Sequence, residues 1–310
     1  MAKIATREAY GKALSELCAE RNDIVVLDAD LSGSTKTAMM KKVAPERHFN
    51  MGIAEGNMMA VAAGLAANGK TVFASSFAMF AVGRAYEQIR NSIGYPQMNV
   101  KICATHAGIT VGEDGASHQT FEDIGLMRCI PGMVVVQPAD AVEAEAAIHA
   151  VADVKGPCFV RLARSGVEVI HDRETYQFKL GKADVLHKGT KVALIATGCL
   201  VHEALKAREI LKEEGLDVTV VNIHTIKPLD EDCLVELAKT HDVLVTCEEH
   251  SVLCGLGSAV CELLSEKHPI RIVRVGQKDV YGESGKPAEL LHKFEMDSEA
   301  IVKAVKRSLS

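Results

Sequence analysis

Short, near-continuous apolar runs alternate with helical patterns along the first half of the chain. The runs cover residues 23–30 (DIVVLDAD), 71–77 (TVFASSF), 99–107 (NVKICATHA), 133–140 (MVVVQPAD) and 158–164 (CFVRLAR). A strand covered on both faces has no polar side to alternate with, so these runs predict a buried parallel sheet. Helical spacing at residues 56–68, 82–93 and 139–153 supplies the crossovers of a doubly wound fold. Residues 168–182 (EVIHDRETYQFKLGK) are polar and aperiodic and read as a linker. A second series succeeds it, with runs at 191–198, 217–224, 242–250 and 270–276 and a helix over 201–214. The expectation is an α/β chain with two doubly wound, mostly parallel-sheet domains. They cover residues 1–168 and 186–310, with a linker at 169–185. Residues 1–20 carry charges throughout and read as an amphipathic helix, not a signal peptide.

Composition narrows the classes. The chain has 310 residues, 48% hydrophobic, which suits about two α/β domains. A net charge of −6 without a Lys/Arg-rich run argues against a nucleic-acid partner. No apolar run approaches the ~18 residues that cross a bilayer, so no membrane partner is expected. The nine cysteines are an odd number in apolar contexts (Cys103, Cys158, Cys247, Cys261), as buried thiols of a reducing cytoplasm would be. The glycines at Gly198 and at Gly255-Leu256-Gly257 lack a G-x-G-x-x-G pattern and read as tight turns.

Ligands of open α/β sheets bind beyond the carboxyl ends of the strands. In the first domain those ends carry Asp28, Asp30, Ser34, Ser75, Ser76, Phe77, His106 and Arg164; the second domain offers Thr197, His224, Glu248, Glu249 and His250. The chemistry is concentrated in the first half. Glu55 opens an apolar helix beside Ile53, Met58, Met59 and Val61, where apolar burial would tune a carboxyl group for acid–base work. Taken alone, it reads as a helix-capping acid. The stretch 105–119 (THAGITVGEDGASHQ) places His106 and His118 in a polar, glycine-rich bend, and histidine shuttles protons near neutrality. Metal binding there lacks a third ligand at sensible spacing, and no metal site is expected on this chain. Phe77 and Phe80 read as core packing or as a platform for a flat heterocycle. Arg7, Arg164 and Ser34 could form a phosphate clamp, although Arg7 reads most simply as a solvated helix residue.

Together these residues resemble the thiamine-diphosphate enzymes, most closely the transketolase family. The likeness spans nearly the whole chain and corresponds to the family's pyrimidine-binding and C-terminal domains. NMGIAEGNM (50–58) resembles the glutamate motif, and SSFAMF (75–80) the aromatic strip under the aminopyrimidine ring. THAGITVGEDGASHQ resembles the sugar-binding loop, and GKPAELL (285–291) the end of the C-terminal domain. The resemblance implies that Glu55 meets the pyrimidine ring nitrogen, that Phe80 and Phe77 stack on the ring, and that Asp30 lines the thiazolium side. It implies that Arg7, Ser34, His106 and Arg164 hold a sugar phosphate. Asp114 would sense hydroxyl stereochemistry, and His118 would lie near the donor carbonyl. Two departures stand out: Ala54 and Gly56 flank the glutamate where Arg and His are usual, and Gly83 stands where a tyrosine is frequent.

The family holds the diphosphate through Mg²⁺ (or Ca²⁺) on a Gly-Asp-Gly motif, and no such motif occurs in this sequence. The resemblance therefore implies a split transketolase that transfers a two-carbon ketol unit between sugar phosphates. An N-terminal partner subunit with the diphosphate-binding domain would complete an α₂β₂ assembly. The nearest alternatives are the β subunit of a 2-oxo-acid dehydrogenase E1 component and a deoxyxylulose-phosphate synthase-like enzyme. The first usually carries a histidine-rich loop where this chain has Gly115-Ala116-Ser117-His118. A subunit that kept the fold but lost the chemistry is a third alternative, against which Glu55, His106, Asp114, His118 and Arg164 all speak.

Overall fold

A computed structural model describes residues 3–309. Met1 and Ala2, with which the expected first helix begins, lie outside the described residues. The chain then forms a short strand, Lys3–Ala5, and the helix Thr6–Glu20.

Seven strands form the first sheet, in the order Thr225–Lys227, Val134–Val136, Cys158–Arg161, Val100–Ala104, Thr71–Ser75, Ile24–Asp28 and His48–Asn50. All neighbours pair in parallel except Thr225–Lys227, which runs antiparallel to Val134–Val136. Successive side chains of a strand point to opposite faces. Val25 and Leu27 therefore pack with Met58, Met59 and Ile89, while Ile24 and Val26 pack with Tyr10, Leu14 and Ile148. Helices Glu55–Ala67, Thr6–Glu20 and Ala141–Asp153 cover these two faces, which is why the strands read as unbroken apolar runs.

The second sheet has five strands, ordered Arg271–Gln277, Val243–Ser251, Val192–Ala196, Thr219–Asn222 and Asp184–His187, the last antiparallel. Asp184–His187 begins inside the expected linker, and Thr225–Lys227 returns from the second half of the chain to the first sheet. The division at 168 and 186 is thus crossed by one strand.

Two expectations are modified. The helix expected over 82–93 consists of π-helical turns, Met79–Arg84 and Ile89–Gly94, around the short helix Tyr86–Gln88. Such turns concentrate at functional sites because they redirect side chains that a regular helix would aim elsewhere. The strands also stop earlier than their apolar runs, since Asp30 (φ 61°) and His106 (φ 58°) turn into the left-handed region just past the strand ends. No helix among the described residues is long and apolar enough to cross a membrane.

The two domains meet around Arg161, 2% exposed, at the end of its strand. Its Nε donates to Asp123 (2.7 Å) and its Nη2 to the carbonyl oxygens of Glu249 (2.9 Å) and Thr120 (3.4 Å). Removing one partner of a buried ion pair leaves an uncompensated charge. Asp123→Ala is expected to lower unfolding stability by about 3–5 kcal/mol, measured by urea denaturation of the full chain; a loss within the range of a surface substitution would count against such a buried pair.

Candidate active site

Glu55 is the first residue of the helix Glu55–Ala67 and is completely buried. Its Oε2 accepts a hydrogen bond from Arg84 Nη1 at 2.8 Å, whereas Oε1 is buried without a partner. The expectation of a lone carboxylate among apolar neighbours is corrected in two respects. Ile53 is 76% exposed and does not wall the group in. Arg84, which stands in no recognisable motif, supplies a counter-charge. The one signal in the sequence was its place at the end of the segment that carries Phe77 and Phe80. The guanidinium carbon also lies 4.9 Å over the centroid of the half-buried Phe80 ring.

Phe77 follows the strand Thr71–Ser75 and is nearly buried, its ring stacked on His106 with centroids 3.7 Å apart. That face is occupied from within the chain. Phe80 meets His118 edge-on at 5.2 Å and keeps more of its surface open. His118 lies beside Ser117, Nδ1 to Oγ 3.0 Å.

His106 receives Arg7 Nη1 at Nε2 (3.2 Å) and lies 2.8 Å from Thr105 Oγ1 through Nδ1. Because an arginine can only donate, Nε2 must be the acceptor, which assigns the proton to Nδ1. Burial, followed by the Arg7 and Arg164 charges, pushes the His106 pKa down to about 3. Arg7 comes from the first turn of the helix Thr6–Glu20 and donates its Nη1 to the carbonyl of Ser34 at 2.8 Å. Ser34 therefore joins the cluster through its backbone. Arg164 donates its Nη1 to the carbonyl of Val111 and to Glu113 Oε2 (3.1 Å). Burial and the Arg164 charge lower the Arg7 pKa, against the pull of Glu8, so the two guanidinium groups feel each other.

Two expected residues are not drawn into these contacts. Asp30 is exposed and is held by Asn50, whose Nδ2 donates to its Oδ1 at 3.2 Å. Asp114 is exposed on the loop. The buried acid at this strand end is Asp28, which accepts from Ser32 (2.6 Å) and Thr37 (3.1 Å) and lies 2.8 Å from His48 Nε2. The sequence placed Asp28 at a strand end but held no hint of its histidine.

An unpartnered buried carboxylate oxygen, linked through Arg84 to the partly exposed ring of Phe80, suits the ring-nitrogen end of an aminopyrimidine. Among the described residues nothing comparable is arranged for a diphosphate. Among the described residues the one group of metal-ligating side chains, His292, Asp297 and Glu299, sits at the C-terminal helices Pro287–Lys293 and Ser298–Leu309. The two glycine-marked helix starts of the second domain are also filled. Glu248 accepts from the amides of Leu256 (2.7 Å) and Gly257 (2.8 Å), and Gln137 lies against Gly198.

Residues 2–168 match the family described as "Transketolase, pyrimidine binding domain", and residues 181–301 match "Transketolase, C-terminal domain". A Methanocaldococcus jannaschii protein provisionally named "transketolase C-terminal section" is 51% identical, covering 96% of this chain and 94% of its own. The "6-deoxy-6-sulfo-D-fructose transketolase subunit SqwH" of Clostridium sp. (strain MSTE9) is 40% identical over 96% of this chain and 92% of its own. Homo sapiens "Transketolase" is 38% identical over 98% of this chain, which spans 49% of that protein. A solved structure described as "Split gene transketolase, inactive beta4 tetramer" superposes with a TM-score of 0.92 at 52% identity, over 99% of this chain and 98% of its own.

The low His106 pKa has a direct consequence. Its imidazole resonances are expected to stay flat between about pH 5 and 8 in an NMR titration, where an ordinary histidine titrates; a midpoint near the ordinary value would remove the neutral acceptor from this site.

Proposed function

The chain belongs to the transketolase family, and on that premise we propose that it is the pyrimidine-binding subunit of a split transketolase. The reading rests on the unpartnered Oε1 of Glu55, whose other oxygen is joined through Arg84 to the Phe80 ring. It is supported by relatives of similar length named as a section or a subunit of transketolase. The solved neighbour, described as an inactive β₄ tetramer, supports the corollary that this half alone does not turn over. The relatives do not favour the dehydrogenase and synthase alternatives.

Bound thiamine diphosphate supplies the carbon nucleophile and the electron sink for two-carbon transfer. The chain's residues would act around it. Glu55 would share a proton between its carboxylate and the pyrimidine ring nitrogen. Arg84 stays on Oε2 and prevents Glu55 from being a bare buried charge. Phe80, less buried than Phe77, would present its ring for stacking, with Phe77 behind it braced by His106. Asp30 would line the thiazolium side. Arg7 and Arg164, with Ser34 and neutral His106, hold the sugar phosphate. His118 orients the donor carbonyl and carries its proton, and Asp114 reads the hydroxyl configuration.

A separate N-terminal subunit would supply the diphosphate site and its Mg²⁺ or Ca²⁺, giving an α₂β₂ enzyme of cytoplasmic pentose phosphate metabolism. The free cysteines, most of them fully or partly buried, fit a reducing compartment.

Two outcomes are expected. The purified chain with thiamine diphosphate and Mg²⁺ is inactive in a ketose-to-aldose phosphate assay and gains activity when the partner subunit is added; robust turnover by the chain alone overturns the split. In the active pair, Glu55→Ala lowers kcat at least ~10²-fold, as expected for loss of a positioned acid–base group. Unchanged turnover, or reductive acylation of a lipoyl domain by the wild-type pair, assigns the chain another role.

A further inference from the structure

Glu249 belongs to the second domain, near the end of the strand Val243–Ser251, yet its side chain points into the loop of the first domain that carries His106, Asp114 and His118. It is 1% exposed. Oε1 accepts the backbone N–H of Thr110, and Oε2 lies 2.9 Å from the thiol of Cys199. Its own carbonyl receives Arg161. Gly108, at φ 78°, leaves room for the carboxyl group, because a Cβ there would collide with Glu249 Cδ. The fit is reciprocal: a left-handed glycine turns the loop, and the acid fills the space the missing side chain opens.

The same loop is held from the second domain at further points. Ile109 is buried in a cluster with Val192, Leu194 and Leu290. Gln119 Nε2 donates to the carbonyl of Glu283 at 2.9 Å and to that of Ile109 at 3.3 Å. At Gly112 and Gly115 the loop packs against Gly285, Pro287 and Ser284 so closely that a Cβ would meet them. Of these contacts, only Glu249 captures an internal amide of the loop with a side-chain carboxylate.

We propose that Glu249 is a positioning residue through which the second domain presets the sugar-binding loop. This deepens the function proposed above and rests on it for the identity of the ligand. Glu249 touches no substrate. It fixes the turn at 108–110, and with it the spacing between His106 at one end of the loop and Asp114 and His118 at the other. A loop free to sample other turns would have to be ordered by the donor sugar, and that ordering cost would appear in KM.

Two measurements test this. In the free chain, hydrogen exchange of the 108–115 amides in Glu249→Ala is expected to run ~10-fold or more faster than wild type, with the strand Thr71–Ser75 unchanged. In the reconstituted pair, the same variant is expected to raise KM for the ketose donor about ten-fold with a smaller change in kcat. Glu249→Gln, which retains an oxygen acceptor for the Thr110 amide, restores both. Should Glu249→Ala fail to fold, Glu249→Asp keeps a carboxyl group, falls one methylene short, and is read in the same way. Wild-type exchange in the loop, exchange rising equally in both segments, or a loss confined to kcat each overturns the proposal. The exchange measurement needs no active enzyme, so it decides the positioning role even if the wild-type pair transfers no ketol unit.

Discussion

A guanidinium group cannot be buried without acceptors around it, and Arg161 imposes that requirement on both halves of the molecule. Its acceptors are Asp123 and the Thr120 carbonyl from the first domain and the Glu249 carbonyl from the second. Moving the domains apart would strand the charge, so their relative placement is set by electrostatics as well as by the apolar cluster around Ile109 and Phe121. The loop between residues 105 and 120 passes through this joint. It behaves as part of an interface more than as a surface loop, which is why so many of its residues are buried despite its glycines.

The candidate groups of the chain suit part of a reaction centre. Arg7 and Arg164 bring positive charge beside a neutral histidine, an arrangement suited to an anionic sugar. Glu55 brings a carboxylate suited to a ring nitrogen. No comparable set of oxygen ligands accompanies them among the described residues. In the isolated chain Glu55 meets Arg84 and is not left as a bare buried charge, so the chain can fold with this carboxylate in place.

Much of the architecture could be read along the chain. Strands buried on two faces must be apolar throughout, and the runs at 24–28, 71–75, 100–104 and 192–196 announced themselves in that way. Their ends were less legible. Asp30 and His106 lie within or beside apolar runs, and only the backbone reveals that both turn left-handed. The stretch 79–94 has helical periodicity but winds too widely, and periodicity alone cannot separate the two. Thr225–Lys227 is three residues long and pairs across the domain division, so it carries no local signature. The site obeyed the same rule. Glu55, His106 and His118 stood in motifs, whereas Arg84, the Asp28–His48 pair and Glu249 owe their importance to partners far away in sequence.

The amino-acid order by itself determined the α/β class, the pairing of a larger with a smaller sheet, the motif residues and the want of a Gly-Asp-Gly site, because these depend on periodicity and on which side chains exist. Tertiary structure alone decided which of those side chains meet. It set Arg84 on Glu55, covered Phe77 with His106 while leaving Phe80 partly exposed, and brought Glu249 onto the amide of Thr110. The physical reason is that burial, charge pairing and amide capture act between atoms adjacent in space, and residues as distant as 110 and 249 become neighbours only when both sheets have packed.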